Sequence, residues 1–260
     1  MMQATPFVVA IVAWVLVFAS GLLGMWIGPR LPERQRDSDT KTAVAVCMTM
    51  VSTLTALVLG LLLSVSNDTF RGNQGQVMST SSDIIRMDHL LRLYGPEGED
   101  ARTFLRGYVT SMQQDLFPAH GSRLNVENEI TLNYMAKAED VAAKMSPATQ
   151  TQRWLQTRIM ETADTIVREH YALVKQNLDE IPLSLIALLI LWLVVLFAGY
   201  GLYTPRHITS LIVLLLTSGA TAGAIFLMLE LDTPNSGFVQ LSTQPLQHAI
   251  EVMQRHVDPL

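Results

Sequence analysis

Hydrophobic positions along this chain follow two regimes. In residues 6–28, 42–66, 183–203 and 208–229 most positions are apolar, and no Asp, Glu, Lys or Arg interrupts them. Each stretch meets the ~20 apolar residues that a helix needs to cross ~30 Å of hydrocarbon. The pattern predicts four transmembrane helices, arranged two plus two around a polar insert. No Lys or Arg precedes the first stretch, and its apolar run is longer than a signal peptide's, so it is read as a retained helix.

Within the insert, apolar residues recur at helical intervals and no alternating strand pattern occurs. Val77, Ile84, Leu91 and Tyr94 share one stripe, and Ala101, Phe104, Leu105, Tyr108, Met112 and Leu116 form a second. Ile130, Tyr134 and Val141 mark a third helix; Leu155, Ile159, Ile166, Leu173 and Leu178 mark a fourth. Tyr94-Gly95-Pro96-Glu97-Gly98 and Phe117-Pro118-Ala119-His120-Gly121-Ser122 are the breaks, because Pro lacks an amide donor and Gly frees the backbone. Ser146-Pro147 predicts an N-cap with Pro in the first helical position. The expected fold is all-α. Residues 1–66 form a first transmembrane pair, 67–180 a helical bundle, 181–230 a second pair, and 231–260 a turn with a short amphipathic helix. That last helix carries Leu246, Ile250 and Met253 on one face, against either the membrane or the bundle.

Charge changes the picture mainly by setting orientation. Arg30, Arg34, Arg36 and Lys41 lie between spans one and two, and Arg206 lies between spans three and four. Positive loops favour the cytoplasm, so both termini and the bundle are expected outside it, in a multi-pass protein of the plasma membrane. The net charge of −5 and the lack of a basic block argue against nucleic-acid binding. Cys47 is the only cysteine, which excludes an intrachain disulfide and a Cys-based zinc site. Six scattered histidines show no ligand spacing, and no phosphate loop, nucleophile elbow or His-Glu-x-x-His motif is present. No enzyme activity, cofactor or metal is implied. The expected partners are the lipid bilayer, further copies of the chain, and ions.

Candidate functional positions lie inside the membrane. Thr49, Thr53, Ala56, Gly60, Ser64 and Asn67 form a small and hydroxyl stripe on the second span. Such a stripe either lines a pore, where hydroxyls replace part of an ion's hydration, or makes a close helix–helix seam. Gly219 and Gly223 form a Gly-xxx-Gly pair suited to packing, and Gly21, Gly24 and Gly28 have a similar pattern. Glu230 and Asp232 close the fourth span. Arg71, just beyond the second span, is a candidate ion-pair partner for Glu230; a charge-swap double mutant that fails to restore lost stability would sink the pair.

The run Glu230-Leu231-Asp232-Thr233-Pro234-Asn235-Ser236-Gly237-Phe238, followed by Ser242-Thr243-Gln244-Pro245-Leu246, is distinctive. Together with Gly60-Leu61-Leu62-Leu63, Tyr94-Gly95-Pro96-Glu97 and the two-plus-two plan, it resembles a bacterial family of bestrophin-like membrane proteins. Asp232, Pro234 and Gly237 are the family-motif positions. The resemblance implies a helical membrane protein related to the bestrophins, which are pentameric anion channels. The second span lacks the bestrophins' aromatic-rich neck, and no acidic calcium cluster is visible. Two functions follow as expectations: a homo-oligomeric ion channel whose second span lines the pore, or a non-conducting sensor or scaffold whose bundle binds a partner or ligand.

Overall fold

A computed structural model of the chain describes residues 6–32, 38–116, 129–176, 181–232 and 241–255. Among these the secondary structure is helical and no strand occurs. The helices are α1 (Pro6–Ile27), α2 (Ser38–Tyr94), α3 (Glu99–Leu116), α4 (Glu129–Lys144), α5 (Gln150–Gln176), α6 (Leu183–Tyr203), α7 (Ile208–Asp232) and α8 (Gln244–Arg255). The second apolar span does not stop at the polar insert. It continues as one helix of 57 residues, because no Pro interrupts it before Pro96.

The chain divides into two compact units: residues 1–70 with 180–239, and residues 71–179 with 240–260. The first unit holds α1, the N-terminal part of α2, α6 and α7. Four of its helical stretches are long and apolar enough to cross a membrane, which makes this a multi-pass membrane protein. Helix α1 packs against both α6 and α7. Its inward residues Ala10, Ala13, Val17, Gly21 and Gly24 are small, so the backbones approach closely. A Cβ on Gly24 would collide with the Ala198 carbonyl, one on Gly28 with the Leu202 carbonyl, and one on Gly201 with the Gly21 carbonyl. The α1–α6 crossing therefore runs through glycines on both helices.

The second unit builds a conventional core from amphipathic helices. Val77, Ile84 and Leu91 of α2, Leu105 and Tyr108 of α3, Ile159 and Ile166 of α5, and Leu246 and Met253 of α8 are buried together. Helix α8 thus belongs to the bundle, where it packs against α3. One inward position and one helix boundary differ from the sequence expectation. Helix α4 buries Thr131, Met135, Ala138 and Ala142, while Ile130 is 62% exposed. Of the expected stripe, Tyr134 and Val141 pack against the core and only Ile130, in the first turn, points outward; the fully buried positions lie beside the stripe, at Thr131, Met135, Ala138 and Ala142. Helix α5 begins at Gln150, not at Ser146-Pro147. The Gln152 amide donates to Oγ1 of Thr149 (3.1 Å), and the Gln152 side-chain oxygen accepts from the Ala148 and Thr149 amides, a reciprocal cap that fixes the start.

Candidate pore-lining face and membrane cavity

Helix α2 presents three distinct faces in the membrane-spanning unit. The first points inward: Thr55 and Ser66 are buried, and Val58, Leu59, Leu62 and Leu63 pack on the apolar cluster of α1, α6 and α7. Lower on the same side, Met48 lies against Gly199 of α6, at the place a Cβ would occupy. The second face is bulky and exposed, with Val46, Met50, Leu54, Leu57, Leu61 and Val65 following a helical repeat. The third carries Thr49, Thr53, Ala56, Gly60 and Ser64, all exposed, and leads to half-buried Asn67. A Cβ on Gly60 would meet no atom within 4 Å. Thr49 and Thr53 donate their hydroxyls to the Ala45 and Thr49 carbonyls, at 2.8 and 2.9 Å. Their own donors are satisfied inside the helix, and the oxygen lone pairs remain outward.

The other predicted positions fall in different settings. Glu230 is buried at the end of α7, whereas Arg71 is exposed on α2. Asp232 receives the Ile181 amide at 3.1 Å, so a carboxylate at the end of α7 holds the backbone immediately before α6. Negative charge is stabilising at a helix N-terminus, where the amides are unpaired. Pro234 and Gly237 lie outside the described residues. Gly219 and Gly223 are exposed; a Cβ on Gly219 would come within 3.9 Å of the Trp14 indole nitrogen, and one on Gly223 would meet nothing. The α7 residues buried around them are Ser218, Ala222 and Ile225.

A further feature escaped the sequence reading. Helices α2, α6 and α7 surround a cavity of about 630 Å³, with Ser52 and Thr55, Leu193 and Phe197, and Val213 and Thr217 in its walls. Its lining residues sit on three helices far apart in sequence, and only tertiary packing brings them together. At the turn between α6 and α7, Arg206 donates from Nε to the Met25 carbonyl (3.0 Å) and from Nη2 to the Trp26 carbonyl (2.9 Å). Arg30 also donates to Trp26 (3.1 Å) and stacks over its indole. The unpaired carbonyls at the end of α1 are thereby satisfied by two cations.

Comparison with known proteins decides the family. The bestrophin-like domain family matches residues 15–246, nearly the whole chain. This protein belongs to the bestrophin-like family. Its fold is similar to that of a bacterial bestrophin homologue from Klebsiella pneumoniae solved by Zn-SAD phasing, at 16% identity and a TM-score of 0.63, covering 95% of this chain and 96% of that chain. A leucine-to-threonine variant of a bestrophin homologue from the same organism matches with a TM-score of 0.66 at 14% identity, over 96% of this chain and 99% of that one. At these identities the likeness is one of fold. No curated protein matches the chain.

The bundle of this bestrophin-like chain contains one buried charge network. Arg102, 6% exposed, donates from Nε to Asp88 Oδ1 (2.8 Å) and from Nη1 to Glu99 Oε2 (2.6 Å), and Asp88 is 2% exposed. Burial opposes the charge on Arg102; hydrogen bonds and attraction from Asp88, then Glu99, outweigh it and hold the guanidinium above its ordinary value. Tyr108 OH lies 3.3 Å from His170 Nδ1. Burial, aided by the Glu169 carboxylate, pushes the Tyr108 phenol far up, so it stays neutral. Asp115, Thr131 and Ser111 link α3 to α4. Among the described residues no group of three or more His, Cys, Asp or Glu gathers to hold a metal ion.

Proposed function

We propose that this chain is the subunit of a homo-oligomeric ion channel of the bacterial inner membrane, with α2 lining the pore. The observation that carries the reading is the exposed small and hydroxyl face of α2, with Gly60 at its centre. A helix surface meant for lipid gains from bulky apolar side chains, and α2 already has such a face in Leu54, Leu57 and Leu61. Gly60 contributes no apolar surface and costs about 1 kcal/mol against Ala in a helix. It makes physical sense where water, ions or another backbone come close. A single chain has too few helices to enclose an aqueous path, whereas a closed symmetric ring brings one such face from each copy to its axis. Hydroxyl oxygens whose protons are already donated within the helix then present acceptors to the lumen. Family membership supports the same reading, since the bestrophins are anion channels.

The two basic loops carrying Arg30 and Arg206 meet at the same end of α1, which supports a common cytoplasmic side for both and an extracytoplasmic bundle.

Ion flux from liposomes holding the purified chain tests the channel. Wild type is expected to conduct, and Gly60→Trp, still folded and assembled by size-exclusion and circular dichroism, is expected not to. Absence of wild-type flux across pH, calcium and voltage would overturn the pore and favour the sensor or scaffold function. Undiminished flux in Gly60→Trp would remove α2 from the pore.

A further inference from the structure

The cavity between α2, α6 and α7 has a chemical polarity along its length. Toward the middle of the spans its walls are largely hydrocarbon, including Leu193, Leu196 and Phe197. The hydroxyls among them are internally committed: Thr55 donates to the Val51 carbonyl, Thr217 to Val213 and Thr221 to Thr217. Such walls offer little to water, which needs two to four polar partners. Its volume, about 630 Å³, is that of a ligand site with an apolar body and few polar groups. Tyr200, Val213 and Thr217 are exposed at its rim, so the cavity opens sideways into the bilayer.

The other end borders a cationic turn, whose arginines stand just outside the lining. Thr204 and Thr209 line the cavity on either side of the α6–α7 turn, and that turn carries Arg206. The Arg206 guanidinium is fixed there by its bond to the carbonyl of Met25, itself a lining residue. Nη1 donates to no acceptor among the described residues, and no carboxylate among them pairs with Arg206. Arg30 is held beside it through the shared Trp26 carbonyl. Two oriented guanidinium groups without described acidic partners, at the mouth of an apolar slot in the membrane, match one class of molecule. Basic pockets between transmembrane helices recruit anionic headgroups in this way.

We propose that this cavity binds an anionic phospholipid, with one acyl chain in the slot and the phosphate at Arg206 and Arg30. The site is independent of whether α2 lines a pore. It places a lipid directly against the inward side of α2, next to Thr55 and Leu59.

Native mass spectrometry of the full chain, released from mild detergent with added phosphatidylglycerol or phosphatidylcholine, tests the site. Wild type should retain phosphatidylglycerol about tenfold better than phosphatidylcholine. Thr217→Trp, which fills the slot, should lose retained phosphatidylglycerol; Val213→Phe serves if Thr217→Trp fails to fold. Arg206→Gln and Arg30→Gln should keep lipid but lose the preference for the anionic headgroup. Added inorganic phosphate should not displace the lipid, and displacement would mark an anion site without an acyl slot. Equal retention of the two lipids by wild type would overturn the proposal, as would full phosphatidylglycerol retention in the slot-filled variant. So would a slot-filled variant that dissociates an oligomer without changing lipid retention, which would make a second copy the occupant.

Discussion

Gly24 and Gly60 carry the same side chain and opposite physical demands. At Gly24 a methyl group would meet the Leu202 amide nitrogen at 2.9 Å and collide with the Ala198 carbonyl, both backbone atoms that cannot turn aside. Gly24→Ala is therefore expected to cost about 1–3 kcal/mol by overpacking the α1–α6 crossing. Gly60→Ala meets nothing within the chain and should leave stability unchanged or raise it by up to ~1 kcal/mol through helix propensity. Thermal unfolding in detergent, read side by side, checks the pair; equal losses would mean that the two positions share an environment. The Arg102–Asp88 pair poses another residue-scale question, because both partners are almost fully buried. Removing Arg102 alone leaves a buried carboxylate without its main counter-charge. Arg102→Met is expected to destabilise the bundle by about 3–5 kcal/mol, with Asp88→Leu in the same chain recovering most of the loss. Urea titration of the two variants provides the comparison.

At the scale of elements, periodicity located the helices and packing chose their faces. The stripes through Val77, Ile84 and Leu91, and through Leu105, Tyr108 and Met112, are the buried ones, because on α2 and α3 the large apolar residues face the core. On α4 the same rule holds for Tyr134 and Val141, which pack against the core, but not for Ile130, while Met135, Ala138 and Ala142 are the fully buried positions. The start of α5 depends on a Thr149–Gln152 cap that competes with the Ser-Pro signal three residues earlier. Helices α6 and α7 are joined by a contact that no local pattern announces. Asp232 accepts the Ile181 amide across 51 residues of sequence. Asp232→Ala should remove a capping interaction of about 0.5–2 kcal/mol, lowering the thermal midpoint, while Asp232→Asn, which keeps an acceptor, should lose less. Identical midpoints for all three chains would discard the cap.

For the whole molecule the sharpest open quantity is sidedness. In the proposed orientation, with the positive loops in the cytoplasm and the bundle outside it, a Ser122→Cys chain in a Cys47→Ser background should react with an impermeant thiol reagent in intact spheroplasts. Protection until lysis would reverse the assignment. The sequence by itself determined the membrane class, the four spans, the all-α plan and the family resemblance. These depend on stretches of ~20 uncharged residues, on helical repeats and on a contiguous acidic-Pro-Gly run, all of them local properties of the chain. Only the tertiary structure decided which glycines sit in helix crossings, which face of α2 stays open, and that α8 joins the bundle core. The cavity and the clustering of Arg30 with Arg206 also belong to that second group. Each of these depends on which distant helix happens to lie alongside, and the volume left between three helices is a property of their packing that no single segment encodes.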